Sequence, residues 1–278
     1  MKKKLFGMII STVLVVAMMF ALAACGNKGG DTPQGGDQPQ GSATELSDSE
    51  AIFAKGKLVV GITDFEPMDF QENGEWVGFD ADLAKMFCEA FDLEVEFVEI
   101  DWDNKILELN SGAVDCIWNG MTLTDEVNEA MACTDTYALN AQVVVMPASK
   151  LAEYPDAASM KELVFAAEAG SAGEGVGQDE GFTVNSVQNQ AAALMEVAAG
   201  TSDACIIDKT MADAMTGEGT SYADLGYAVS LSSEEYVIGF RKGSDMASIM
   251  NSCIMGWKMD GTLASLSEKY GNTISVAE

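Results

Sequence analysis

The chain has 278 residues, with 44 acids against 15 lysines and arginines, no histidine, and a formal charge of −29. So acidic a surface repels nucleic acid and anionic lipid. The missing histidine removes the commonest catalytic base and metal ligand.

The amino-terminal stretch reads as an address. Met1-Lys2-Lys3-Lys4 is basic, residues 5–21 are apolar apart from Gly7, Ser11 and Thr12, and the run ends at Leu22-Ala23-Ala24-Cys25. A basic end, an apolar core and small residues at the cut describe an export signal, and the run is short for a bilayer span, which needs about 20 residues. A cysteine directly after the small residues resembles a lipoprotein lipobox. That resemblance implies a signal peptide over residues 1–24, a diacylglyceryl thioether on Cys25 and a mature chain starting there; an ordinary signal peptide with a coincidental cysteine is the alternative. Two acyl chains anchor stably where one is marginal. Loss of Lys2, Lys3 and Lys4 takes the formal charge from −29 to −32, so the anchor must hold by hydrophobic burial alone. Residues 25–50 are rich in Gly, Gln, Pro, Asp and Ser and are expected to form a disordered tether.

Some 229 residues follow Ser49, enough for two domains. Cys88, Cys116, Cys133, Cys205 and Cys253 are an odd number, mostly inside apolar patterns, and read as small buried hydrophobes rather than a disulfide framework.

Residues 51–55 are a short lead-in. Leu58-Val59-Val60-Gly61-Ile62 is a continuous apolar run, the mark of a buried parallel strand. A loop from Asp64 to Phe70 follows, then a hairpin turn at Glu72-Asn73-Gly74-Glu75. Asp80 is expected to cap a helix whose core face is Phe79, Leu83, Met86, Phe87, Ala90 and Phe91. Residues 95–100 form the next strand, with Asp101-Trp102-Asp103 beyond its carboxyl end. A helix through Ile106, Leu107 and Leu109 stops at Ser111-Gly112. The strand of residues 114–119 then breaks at Gly120 and restarts as a helix capped by Thr124. This β-α-β-α-β order is a doubly wound pattern, and such sheets bind ligands outside the carboxyl ends of their strands. A second βα series follows: strand 142–146 running into Pro147, strand 163–167, the turn Gly170-Ser171-Ala172-Gly173, helix 187–199, strand 204–207 and helix 209–216. Strand 236–240 returns, and two amphipathic helices close the chain.

The segments KLVVGI, FEPMDF, GEWVGFDADLA, EVEFVEIDWDNKILELNSGAVDCIWNGMTLTDE, TDTYALNAQVVVM, FAAEAGSAG, SDACIIDKTMADA and YVIGFRKGSDM, taken together and in order, resemble the family 3 solute-binding proteins of polar amino acid ABC transporters. The resemblance implies an α/β, two-domain periplasmic-binding-protein-like fold of type II, with doubly wound sheets joined by two crossover strands. Domain 1 is expected over residues 51–142 plus 231–272 and domain 2 over 143–230, with hinges near 142–146 and 230–233.

It also implies a site. Trp102 matches an aromatic that sandwiches the ligand, with Phe65 as its counterpart. Gly120 and Thr122 match positions whose backbone and hydroxyl hold the ligand's polar end, and Asn119 could add an amide contact. Ser171 and Gly173 match the donors of domain 2. Asp208 matches the carboxylate that pairs with the ligand's ammonium, although a carboxylate there could instead cap the next helix. One position departs: where the family carries an arginine that clamps the ligand's carboxylate, this chain has Val127, and Glu168 replaces a lysine before the Gly-rich turn. The sole arginine, Arg241, lies on the return strand, outside the expected cleft.

A carboxylate buried without a counter-charge is costly. The expected ligand is therefore a neutral or cationic amino acid held by hydroxyls and helix N–H groups, or a carboxylate-free amine or organic cation in an acid- and aromatic-lined box. The expected role is capture of that solute and delivery to an ABC permease and ATPase at the cell membrane, on its extracytoplasmic face, with no metal and no cofactor. A ligand sensor without a transporter is a second reading. An enzyme ranks below both, because no nucleophile–base pair is evident.

Overall fold

The computed structural model of the protein describes residues 46–278. The expected export signal, Cys25 and most of the expected tether lie outside the described residues. Helix α1 (Asp48–Lys55) opens the described chain, so residues 48–50 are helical rather than tether. The reason is local: Ser47 and Glu50 form a reciprocal capping box, and Ile52 is buried. Ser49 Oγ donates to Asp245 Oδ2 at 2.5 Å, and Arg241 donates to Asp48 Oδ1 from Nη2 at 2.8 Å and to the Val114 carbonyl at 2.9 Å. The sole arginine thus fastens the first helix to the folded body.

In the first sheet, β1 (Lys57–Ile62) lies parallel to β4 (Glu94–Glu99) on one side and to β5 (Cys116–Thr122) on the other. Helices α2 (Phe79–Ala90) and α3 (Lys105–Ser111) make the crossovers. The excursion between β1 and α2 forms the expected hairpin, β2 (Phe70–Glu72) with β3 (Glu75–Val77), turning through Asn73 and Gly74 at φ 54° and 83°. The N-cap of α2 is Gly78 and not Asp80. The Asp80 carboxylate is buried and bonds across the sheet instead. Its Oδ2 accepts from Gly120 N at 2.7 Å and from the Tyr137 hydroxyl at 2.8 Å.

The expected break at Gly120 does not occur. Strand β5 continues through it to Thr122, because β13 (Glu234–Arg241) pairs antiparallel along it, Tyr236 opposite Thr122. A register shift between Val237 and Gly239 absorbs the irregularity, and Gly120 takes φ 53°. After helix α4 (Asp125–Ala130), strands β6 (Met131–Cys133), β7 (Ala138–Asn140) and the terminal β14 (Ser275–Val276) complete a seven-stranded sheet of order β14-β7-β13-β5-β1-β4, with β6 on β13.

The second sheet has five strands: β8 (Gln142–Pro147), β9 (Val164–Glu168), β10 (Thr183–Val187), β11 (Ala204–Asp208) and β12 (Leu225–Ser230), in the order β10-β9-β11-β8-β12. Its helices are α5 (Ala172–Asp179), α6 (Gln190–Ala199) and α7 (Lys209–Met215). The helix expected from residue 187 begins at Gln190, since Asn189 supplies the N-cap, accepting from Ala192 N at 2.8 Å, and Val187 ends β10.

The chain passes between the sheets at Ala141 and at residues 231–233, and the two passes are stitched together. Gln142 N donates to Ser232 Oγ at 2.9 Å and Leu231 N to the Gln142 carbonyl at 2.8 Å. Helices α8 (Met246–Asp260) and α9 (Thr262–Lys269) pack on the first sheet, burying Met246, Met250, Ile254, Trp257 and Leu263. Among the described residues all five cysteines are free, three of them buried, and no helix is long and apolar enough to cross a membrane.

Candidate functional site

A cleft of about 360 Å³ is lined from the first sheet by Phe65 after β1, Trp102 after β4 and Gly120–Thr122 at the end of β5. From the second sheet it is lined by Glu168 at the end of β9, the Gly170-Ser171-Ala172 turn and Asp208 at the end of β11. Both sheets offer the carboxyl ends of parallel strands to one space, the place where open α/β sheets bind ligands.

The two sides meet at the rim. Lys105 Nζ, one turn on from Trp102, donates to the Gly170 carbonyl at 2.8 Å and to the Trp102 carbonyl at 3.3 Å, and lies 5.2 Å from the Trp102 ring centroid. Gly170 has φ 69°, and a Cβ there would stand 2.6 Å from Asp103 Cα. Only a glycine lets the two backbones approach this closely.

Phe65 and Trp102 both line the cleft, as expected, and both are also core: they are 2% and 8% exposed. The Phe65 ring lies on Gly120, where an added Cβ would sit 2.7 Å from its Cε1. Both side chains thus belong to the cleft lining and to the apolar interior at once.

The polar groups expected to receive the ligand are largely engaged within the protein. Asn119 is 2% exposed; its Oδ1 accepts from Thr63 N and Oγ1 at 2.9 and 2.8 Å, and its Nδ2 donates to the Thr63 carbonyl and to Asp69 Oδ2 at 3.1 and 2.8 Å. Its amide has no hydrogen left, so the expected amide contact is replaced by a buried tie between β5 and the loop after β1. The Gly120 N–H is used by Asp80. The Thr122 hydroxyl donates to Glu234 Oε2 at 2.9 Å. Ser171 lines the cleft and caps α5, its Oγ accepting from Glu174 N at 3.1 Å. Gly173 does not line the cleft. It backs onto β8 and β11, where a Cβ would meet Gln142 Oε1 at 2.7 Å and the Ile206 carbonyl at 3.0 Å.

Asp208 lines the cleft and does not cap α7, whose N-cap it is by position only. Its Oδ1 accepts from Gln142 Nε2 at 3.0 Å, the Tyr236 hydroxyl at 2.9 Å and Asn140 Nδ2, while Oδ2 accepts from Gln190 Nε2. Burial, then the Glu234 charge, push its pKa up to about 7 against the pull of those donors. Glu168 is 2% exposed and its Oε1 has no hydrogen-bond partner. Burial and the Asp208 charge push it up to about 8, with the Lys105 charge and then the Thr63 hydroxyl acting the other way. Burial lowers the pKa of Lys105.

Six carboxylates line this space (Asp125, Glu126, Glu168, Asp179, Asp208 and Glu234) against one ammonium, Lys105. The cleft is strongly anionic when its acids are ionised, and it holds a buried acceptor without a donor. A carboxylate of this kind is satisfied by a cationic donor. Val127 is 2% exposed and adds apolar wall.

Sequence reasoning missed Lys105, Gln142, Gln190 and Glu234. Lys105 carried a usable signal, since a lysine three residues after Trp102 on a helix shares its face. The two glutamines and Glu234 carried none, because the partners that place them at the cleft, Asp208 and Thr122, are 18 to 112 residues away.

The model of the bacterial extracellular solute-binding proteins, family 3, matches residues 58–273. The arginine-binding extracellular protein ArtP of Bacillus subtilis (strain 168) is 26% identical over 93% of this chain and 95% of its own. Among solved structures, a P235GK mutant of ArgBP from T. maritima is 30% identical with a TM-score of 0.75, covering 81% of this chain and 99% of its own. An amino acid ABC transporter substrate-binding protein from Streptococcus pneumoniae, bound to L-arginine, is 26% identical with a TM-score of 0.75, covering 84% and 100%.

Proposed function

Because the chain belongs to family 3 of the bacterial extracellular solute-binding proteins, we propose that it captures a small ammonium-bearing solute of amino-acid size between its two lobes and hands it to an ABC permease and its ATPase. The observation that carries this reading is the unpartnered, buried Glu168 Oε1 in a cleft lined by six carboxylates and one lysine. Amino acids are the solute class that the relatives' names give, and arginine recurs among them. Neutral and cationic amino acids suit the cleft's charge; glutamate and aspartate do not.

In this reading Phe65 and Trp102 form the apolar walls, while Asp208 and Glu168 take the ammonium or guanidinium pole. Asp208 Oδ2 accepts one bond from Gln190 and has a second lone pair to offer. Glu168 brings its free oxygen. Closure is a population shift, and it requires a ligand that touches both lobes. The lobes, residues 51–142 with 231–272 and residues 143–230, turn about the stitched passes at Ala141 and 231–233. Lys105 on Gly170 is the contact that a closed form makes at the rim. The lipobox-like Cys25 supports a lipid anchor that keeps the receptor at the outer face of the membrane, near its permease.

A thermal-shift screen of the twenty amino acids and simple amines tests the reading. Stabilisation grows as RT ln(1 + [L]/Kd), so a true ligand at one hundred times Kd adds about 2.7 kcal/mol. Cationic and neutral solutes should stabilise and acidic ones should not. Tight binding of glutamate would refute the charge argument.

A further inference from the structure

The cleft is poor in charged donors and rich in acceptors, and this says more about the ligand than its size. The groups placed to meet a ligand's carboxylate are engaged: Gly120 N–H with Asp80, the Thr122 hydroxyl with Glu234, and the Asn119 amide with Thr63 and Asp69. The Val127 side chain has no donor, and its backbone N–H is taken by Thr124 Oγ1. The one cation, Lys105, already donates to two backbone carbonyls. What remains for a carboxylate is a set of neutral donors, such as the Ser171 hydroxyl, together with the last N–H of Lys105.

The carboxylates are distributed in depth. Glu168 and Asp208 are buried at the floor, whereas Asp125, Glu126 and Asp179 are exposed at the mouth. Phe65, Trp102, Met121 and Val127 supply apolar wall in the same space. A ligand with one cationic pole satisfies the floor. Its other pole then meets acids again, and a carboxylate there adds a negative group beside Asp125, Glu126 and Asp179.

Resting on the solute-receptor reading above, we propose that the ligand is a carboxylate-free cation, an alkylamine or alkylguanidine, and that the mouth of the cleft favours a second positive charge over a carboxylate. An amino acid and its decarboxylated amine share the same cationic side chain and differ at this one pole, so the pair isolates the claim.

Calorimetric titration of the full purified chain at pH 8 is the test, with L-arginine against agmatine, L-lysine against cadaverine and L-ornithine against putrescine. At least one amine should bind tenfold or more tightly than its parent amino acid. Equal or tighter binding of the amino acids overturns this proposal and leaves the receptor reading standing. If none of the six binds, the receptor reading for ammonium-bearing solutes falls and this proposal falls with it. A second variant addresses the mouth: Asp125→Asn with Glu126→Gln, both exposed and free to change without loss of packing, should shrink the amine's advantage at least threefold. An unchanged ratio overturns the assignment of the mouth to a second cation.

Discussion

The Tyr236 hydroxyl donates to Asp208 Oδ1 at 2.9 Å, and the two residues belong to different sheets, Tyr236 to β13 of the first and Asp208 to β11 of the second. The bond ties the floor of the cleft to the return strand. Tyr236→Phe keeps the ring and deletes this donor. A buried hydrogen bond to a charged group is worth roughly 1.5–3 kcal/mol, so urea denaturation should show a loss of about that size. The hydrogen bond also holds the Asp208 pKa down, so the pH at which ligand affinity is half lost should move upward in the variant.

Gly170 packs against Asp103 at the rim of the cleft, and its carbonyl accepts from Lys105 Nζ at 2.8 Å. Gly170→Ala places a Cβ 2.6 Å from Asp103 Cα at a φ of 69° that L residues rarely adopt. The variant should keep both sheets but hold the lobes apart, raising the radius of gyration in small-angle X-ray scattering. Ligand affinity should fall by tenfold or more. Scattering curves identical to the parent's, with affinity unchanged, would show that closure does not need this contact.

Two carboxyl groups of the cleft are raised, and burial raises Asp69 and Asp80 in the same direction, Asp80 to about 7. Asp208 and Glu168 have folded-state pKa values of about 7 and about 8, above their ordinary values, chiefly through burial. Between the ordinary carboxylate range and about pH 8 the folded state binds more protons than the unfolded state. Stability of the unliganded protein should therefore fall as pH rises through that window. Ligand affinity should run the opposite way, because a cation binds the ionised carboxylates: it should increase from pH 6 to pH 8, with proton release visible as a buffer-dependent heat near pH 7. Thermal melts with and without ligand at pH 5.5 and 8 check both signs.

Trp102→Ala removes one wall of the cleft and a member of an apolar cluster that includes Ile117 and Val127. Truncation of a buried aromatic costs about 3–5 kcal/mol of stability. Compared at a temperature where both proteins remain folded, the variant should bind its ligand at least tenfold more weakly. Trp102→Phe should recover most of the stability and part of the affinity. Full affinity in Trp102→Ala would remove the ring from the site.

Much of this architecture was legible from local pattern. The apolar run at residues 58–62 is an interior parallel strand, Asn73-Gly74 turns a hairpin, Thr124 caps a helix, and Gly112 ends a helix in the left-handed conformation. Each is decided by side chains within a few residues, which is why periodicity and capping chemistry find them. The boundary misread at Gly120 has a tertiary cause: pairing with β13 carries β5 past a glycine that reads as a break. Asp80 reads as a cap for a similar reason, since its true partners, Gly120 and Tyr137, lie 40 and 57 residues away.

The sequence by itself determined the family, the order of strands and helices, the position of the aromatics and acids at strand carboxyl ends, and the presence of valine at position 127, where the resemblance implies an arginine. The tertiary structure alone decided which polar groups remain free for a ligand. Asn119, Gly120 and Thr122 stand at the cleft as expected, yet their hydrogens go to Thr63, Asp69, Asp80 and Glu234, between 40 and 112 residues away. Glu168, which reads as a mere substitution, has a buried oxygen that none of these donors reaches. A hydrogen bond is satisfied by whatever donor folding brings within about 3 Å, and separation along the chain carries no record of it.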